Sequence, residues 1–114
     1  MATINYTAEH NVAAGYVKVE WSNLSEGDDG QPFECGGLRI GSIQARGTFN
    51  SGALIIEGSN EVAPSNFTGV VSFTGPEVRN LEAHDEAEHV GAVRPLFTND
   101  EGGSVSAAIL FVKA

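Results

Sequence analysis

Tyr16-Val17-Lys18-Val19-Glu20-Trp21-Ser22-Asn23-Leu24 alternates, with Val17, Val19 and Trp21 on one side and Lys18 and Glu20 on the other. A period of two is that of an extended strand with one face buried, and Trp21 is its natural core anchor. Downstream, Ser25-Glu26-Gly27-Asp28-Asp29-Gly30-Gln31-Pro32 is dense in turn formers and charge and reads as a loop. Leu38 to Phe49 is the next extended segment, with Ile40, Ile43, Ala45 and Phe49 apolar; Gly41 and Gly47 interrupt it and predict a bulge or bend. Asn50-Ser51-Gly52 then separates it from Ala53-Leu54-Ile55-Ile56-Glu57-Gly58, which reads as the clearest β-hairpin in the chain.

Further strands are expected around Phe67 to Phe73, Val90 to Phe97 and Val105 to Val112. Pro95 inside the second of these predicts an edge or a bulge, because proline has no ladder donor. Leu81 to Glu88 is acidic and reads as a single helical turn at most, its apolar spacing supporting no amphipathic helix. About seven short strands without a convincing helix predict an all-β fold, an antiparallel β-sandwich or jelly-roll-like arrangement. The 114 residues read as one domain, 1–114, with an N-terminal arm over about residues 1–14.

Composition narrows the partners. Six basic against fifteen acidic side chains give a net charge of −9, a sign that repels nucleic acid and anionic membranes. The apolar fraction of 41% is that of a globular chain, and 14 glycines with four prolines announce frequent turns. Met1-Ala2-Thr3-Ile4-Asn5 has neither a basic start nor an apolar core, so no secretory leader is expected. Cys35 is the single cysteine, which points to a reducing compartment. The glycosylation-type triplets at Asn5, Asn23 and Asn66 then read as chance.

Reactive residues gather in one place, His84-Asp85-Glu86-Ala87-Glu88-His89. Its histidines are five apart, whereas a helix grips zinc with a pair four apart, so a solvated acidic loop is the better reading of His84, Asp85 and His89. Glu26, Asp28 and Asp29 lack the register of a calcium loop and read as an acidic turn. Cys35, beside Glu34, is in the wrong field for a thiolate nucleophile and reads as buried. No nucleophile elbow, phosphate loop or dinucleotide fingerprint occurs, so no catalytic residue, metal or cofactor is expected. Arg94, in an otherwise apolar run, is either an outward charge paired with a nearby acid or an interface arginine.

Three stretches together resemble the small phage virion proteins of the head-decoration (capsid cement) type. The first is Trp21 to Pro32, similar to a W-x-x-L-x-x-G-D-x-G-x-P opening; the second is Gln44 to Asn60, a G-T-F segment ending in G-S-N. The third is Val93-Arg94-Pro95 followed by a glycine-rich turn and the closing strand Val105 to Val112. The order and spacing match from about Tyr16 onward. Glu61, where Asp is expected, and the histidine-bearing acidic loop depart from the pattern.

The resemblance implies a non-enzymatic virion protein, made in the host cytoplasm, that sits on the capsid exterior. Its partner would be the major capsid protein, with self-association as a trimer or dimer and no contact with nucleic acid or membrane. The Ile4 to Val12 arm and the Glu26 to Glu34 loop are the expected contact elements, with Ile4, Tyr6, Asp28, Asp29 and Arg94 as contact residues. The alternatives are a carbohydrate-binding β-sandwich, for which Tyr6 and Tyr16 would have to supply the aromatic platform, and a phage tail or neck component.

Overall fold

The computed structural model describes residues 2–11, 13–60, 66–80 and 91–113, and among these the chain is all-β. Eleven strands are present: β1 (Thr3–Ile4), β2 (Thr7–Asn11), β3 (Tyr16–Leu24), β4 (Asp29–Gly30), β5 (Phe33–Glu34), β6 (Leu38–Thr48), β7 (Ala53–Ser59), β8 (Thr68–Phe73), β9 (Glu77–Asn80), β10 (Ala92–Thr98) and β11 (Ser104–Lys113). The expected count of about seven is therefore too low. β3, β6, β7, β8, β10 and β11 are the segments that alternation marks. β1, β4 and β5 are two residues each, too short to carry a period, and β2 and β9 are mostly polar edge strands.

Two sheets share one core. The first runs β1-β4-β10-β7-β8, with β5 also paired to β10, and the second runs β2-β3-β11-β6-β9. Pairing is antiparallel except between β1 and β4, which departs from the all-antiparallel expectation. The pairing is nested: β7 with β8, β6 with β9, β4 and β5 with β10, and β3 with β11. At seven of the ten connections between these strands the chain passes from one sheet to the other, as a long hairpin wrapped over both layers would.

Burial follows the alternation read from the sequence. Val17, Val19 and Trp21 of β3 meet Val105, Ala107, Ile109 and Phe111 of β11 within one cluster that also holds Leu54, Ile56, Val93 and Phe97 from the first sheet. Two irregularities keep this register. Leu110 pairs with Ser42 but Phe111 with Ile40, so Gly41 is the extra residue of a bulge. Ile40 and Ile43, three apart, would face opposite sides of a regular strand, and the bulge turns both inward. Likewise Trp21 and Leu24 both point inward because β3 carries one residue more than β11 there, and Asn23 takes the left-handed conformation with φ 61°.

The segment that reads as the clearest hairpin is not one. β6 and β7 lie in different sheets, and residues 49–52 carry the chain across the edge. The reason is Asp100, whose Oδ1 accepts the amides of Asn50, Ser51 and Gly52 at 2.8, 2.9 and 2.8 Å, while Oδ2 accepts that of Gly103 at 2.7 Å. The β6–β7 crossing is thereby fastened to the β10–β11 crossing, and Phe49 meets Phe97 of the first sheet edge to face at 5.7 Å. Both crossings need glycine: a Cβ on Gly52 would lie 2.5 Å from Asp100 Cβ, and one on Gly103 2.3 Å from Thr48 O. A tight hairpin does join β2 to β3, where Asn11 accepts the Gly15 amide on its carbonyl and the Ala14 amide on its Oδ1, each at 2.9 Å.

Two further expectations change. The N-terminal segment is not an arm outside the β core: β1 extends the first sheet and β2 the second, each as an edge. Pro95 sits in an inner strand rather than at an edge. It shares its flank with Gly91 and Phe97, which bond to Cys35 and to Gly27 and Asp28, so its donorless nitrogen faces the break between β5 and β4. The helical turn expected over Leu81 to Glu88 lies outside the described residues.

Candidate functional site

Arg94 stands on the outer face of the first sheet, where β10 pairs Arg94 with Glu57 of β7. Its Nε donates to Glu57 Oε1 at 3.1 Å and Nη1 to Asp29 Oδ2 at 3.3 Å. The guanidinium carbon lies 4.0 Å from the centre of the Phe67 ring, a cation–π stack. The arginine is thus an outward charge satisfied within its own chain, and the fork that would have served an interface is in use.

Asp28 and Asp29 divide two tasks. Asp28 is buried, 8% exposed, with Oδ2 accepting the Ser25 amide at 2.9 Å and Oδ1 the Ala2 amide at 2.8 Å. Asp29 accepts the Thr3 hydroxyl at 2.7 Å on the oxygen that Arg94 leaves free. Backbone bonds from Asp29 N to Ala2 O (3.0 Å) and from Gln31 N to Ile4 O (2.8 Å) complete the stitch. Ile4 and Tyr6 are half-buried against the core, Tyr6 meeting Trp21 at 5.9 Å and Phe33 at 5.4 Å edge to face. Of the five expected contact residues, Ile4, Asp28, Asp29 and Arg94 are brought together, while Tyr6 closes the core beside them.

This strip also gathers the motif residues. Trp21 Nε1 donates to Gln31 O at 3.0 Å, and a Cβ on Gly30 would stand 2.3 Å from Pro95 Cδ and 2.5 Å from Trp21 Cδ1. Gly30 is glycine because β10 and the indole close over its backbone. The opening motif and Val93-Arg94-Pro95, some sixty residues apart in sequence, form one packed unit.

The outer face of the second sheet is different. Leu110 (37% exposed) and Val78 (66%) are the large apolar side chains left open among the described residues, and both lie here. Tyr16, Val112 and Ala14 border the same shallow hollow. The register sets Lys18, Glu20 and Arg46 around it, with Glu20 bridged to Arg46 and 4.0 Å from Lys18.

Cys35, Asp100 and the acidic turn serve the structure. Burial pushes the Cys35 thiol up to about 11, so almost none of it is thiolate at neutral pH. Hydrogen bonds from the Ser51, Gly52, Asn50 and Gly103 amides hold the Asp100 carboxyl below its ordinary value, against the opposing effect of burial. Glu26 accepts the Asn99 amide at 3.2 Å, so each member of the Glu26, Asp28, Asp29 set already serves a donor of the protein. Among the described residues no three His, Cys, Asp or Glu side chains come together as a metal site. His84, Asp85 and His89 lie outside the described residues.

Sequence reasoning missed four residues. Glu57 is the lone charge in the apolar run of β7, a signal of an outward partner, but only the β7–β10 pairing tells which. Phe67 carries no signal for its stack on Arg94. Leu110 was legible in that Ala108, Leu110 and Val112 make the second side of β11 apolar as well. Val78 sits in a polar edge strand with nothing to mark it. No protein-family model matches the chain, and no curated protein sequence matches it.

Proposed function

We propose that this chain is a capsid decoration protein: a non-enzymatic, jelly-roll-like β-sandwich that binds the outside of a phage head and strengthens contacts between major capsid subunits. The observation that carries the reading is the convergence of the motifs behind the resemblance. Trp21, Gly30, Pro95, Asp29 and Arg94 pack as one unit, and the second stretch, through Asn50 to Gly52, is fastened to the glycine-rich turn by Asp100. Residues that match a family pattern by order and spacing thus also depend on one another in space. The nested pairing of β3 with β11 through to β7 with β8 supports the jelly-roll topology, which is one architecture of viral capsid domains.

Function then resides on surfaces rather than in a cavity. The β1 edge of the first sheet, held in place by Asp29, Glu57 and Arg94, is the contact we assign to the major capsid protein. A ligand that binds only the expanded lattice stabilises it by mass action, which is how such a protein would resist the outward pressure of packaged DNA. The carbohydrate-binding alternative is weaker, because of its two candidate aromatics Tyr6 packs on Trp21 and Phe33, which leaves Tyr16 alone on the other sheet. A tail or neck component would share the architecture and differ in its partner.

Cosedimentation of the purified protein with expanded heads and with unexpanded procapsids tests the reading. Saturable binding to expanded heads alone, at a fixed ratio to the major capsid protein, is expected. Absence of binding to both would overturn it.

A further inference from the structure

We infer that the outer face of the β2-β3-β11-β6-β9 sheet is a self-association surface that takes a second copy of this chain. Three observations converge on it. The face holds Leu110 and Val78, the large apolar side chains exposed among the described residues, with Tyr16 and Val112 beside them. Leu110 and Val78 lie on either side of β6 and border one hollow with Ser42 and Asn80 between them, and exposed apolar side chains gathered in this way are the kind of surface that association covers.

Charge selects the occupant. The chain carries −9, so two copies repel over most orientations. A two-fold contact brings the same surface from each copy, and its repulsion is set by the charge of that surface alone. By register this face presents Lys18, Arg39 and Arg46 against Glu9 and Glu20. These residues sum to +1, whereas the first sheet's outer face carries Arg94 against Asp29, Glu34 and Glu57, a sum of −2.

Size agrees. The five strands have lengths of 5, 9, 10, 11 and 4 residues, and at ~3.3 Å by ~4.8 Å per residue they present roughly 600 Å². A stable interface needs about 800 Å² from each partner, so this face together with its rim is of that order. Self-association here requires no capsid, and its failure is distinct from failure of head binding.

Sedimentation velocity over about three decades of protein concentration is the test. The wild-type chain should rise from its monomer mass of 11.9 kDa to twice that or more as concentration increases. Val78→Glu with Leu110→Glu should hold that monomer mass throughout, with far-UV circular dichroism unchanged and melting close to that of wild type at a concentration where both are monomers. Thr68→Glu with Ser72→Glu, which adds the same charge on exposed positions of β8, should associate within about threefold of wild type. Three results would overturn the inference: a wild-type monomer at the highest concentration, an oligomer that survives the Val78 and Leu110 changes, or equal dissociation by the β8 control. The first would leave the face to a partner of another kind.

Discussion

The outer faces of the two sheets are built by the same alternation and present opposite chemistry. On the first, Arg94 is held by Glu57 at 3.1 Å and Asp29 at 3.3 Å and covered by Phe67, so the charged group is spent inside the chain. On the second, Leu110 and Val78 stand open with Lys18, Glu20 and Arg46 at the margin. An outward position in a strand is therefore not by itself a contact residue. What decides is whether the neighbouring strands already answer it. The charged residue looks functional in the sequence and is internally satisfied, while the leucine looks like core and is not covered.

Both faces hang from one core, and the largest effect comes from removing its centre. Trp21 is fully buried, and its Nε1 holds the β4–β5 segment through Gln31 O. Trp21→Ala should cost about 3–5 kcal/mol, a large share of the roughly 5–15 kcal/mol by which such a domain is stable. Urea unfolding followed by far-UV circular dichroism checks this, since the single tryptophan cannot report on its own loss. A loss under about 1 kcal/mol would mean that the faces are supported independently of the indole.

Asp100 comes next. It joins the two crossings that carry the chain between the sheets, so it fixes how one face sits against the other. Its folded carboxyl lies below the ordinary value because backbone amides donate to the charged form. A depressed folded value stabilises the fold above the unfolded carboxylate pKa of about 3.9, and the contribution is lost as pH falls through the folded value. Asp100→Asn should be destabilised at pH 7, and the gap from wild type should narrow progressively as pH falls below the unfolded value of about 3.9. A gap independent of pH would show that shape rather than charge matters at this position.

How much of this was legible follows from range. The buried residues of β3 and β11 could be read directly, because alternation is a property of a single strand. The bulge at Gly41 could be read as an interruption, though only the pairing of Leu110 with Ser42 and Phe111 with Ile40 shows why it is needed. The false hairpin at Asn50-Ser51-Gly52 has all the local marks of a turn, and its amides are claimed by Asp100, some fifty residues away. Local chemistry announces that the chain turns and is silent on whether it returns to the same sheet. The charged strip follows the same rule: Asp29 and Arg94 are each visible alone in the sequence, while Glu57 and Phe67 become their neighbours only through the β7–β10 register and the ring stack on Arg94. Tyr6 lies in a segment without alternation, which gives no sign that it packs on Trp21 and Phe33.

A smaller effect is expected from the charged strip. Arg94→Ala removes two partly exposed ion pairs and a cation–π contact, together about 1–2 kcal/mol, with the ionic part weakened by salt. Arg94→Lys should retain less than half of that, since an ammonium cannot serve Glu57, Asp29 and the ring together. Urea midpoints at low and high ionic strength check both. If lysine restored the wild-type midpoint, the fork would not matter, and the strip would be no more organised than the margin of the other face.

The smallest effect on stability belongs to the open face, and its size is the sharpest contrast with Trp21. Leu110 occupies β11, the strand at the middle of its sheet, where a leucine would ordinarily be core. Its side chain instead points outward between Lys18 and Ser42. Leu110→Thr keeps a residue that favours strands and removes a side chain that is 37% exposed, so the monomer should change by about 1 kcal/mol or less. The same change should reduce association severalfold, because that surface gains its free energy only when a second copy covers it. Chemical unfolding at a concentration low enough to keep the chain monomeric isolates the first quantity, and sedimentation at high concentration gives the second. Equal losses in both would mean that Leu110 packs within its own chain, and the second face would then be as satisfied as the first.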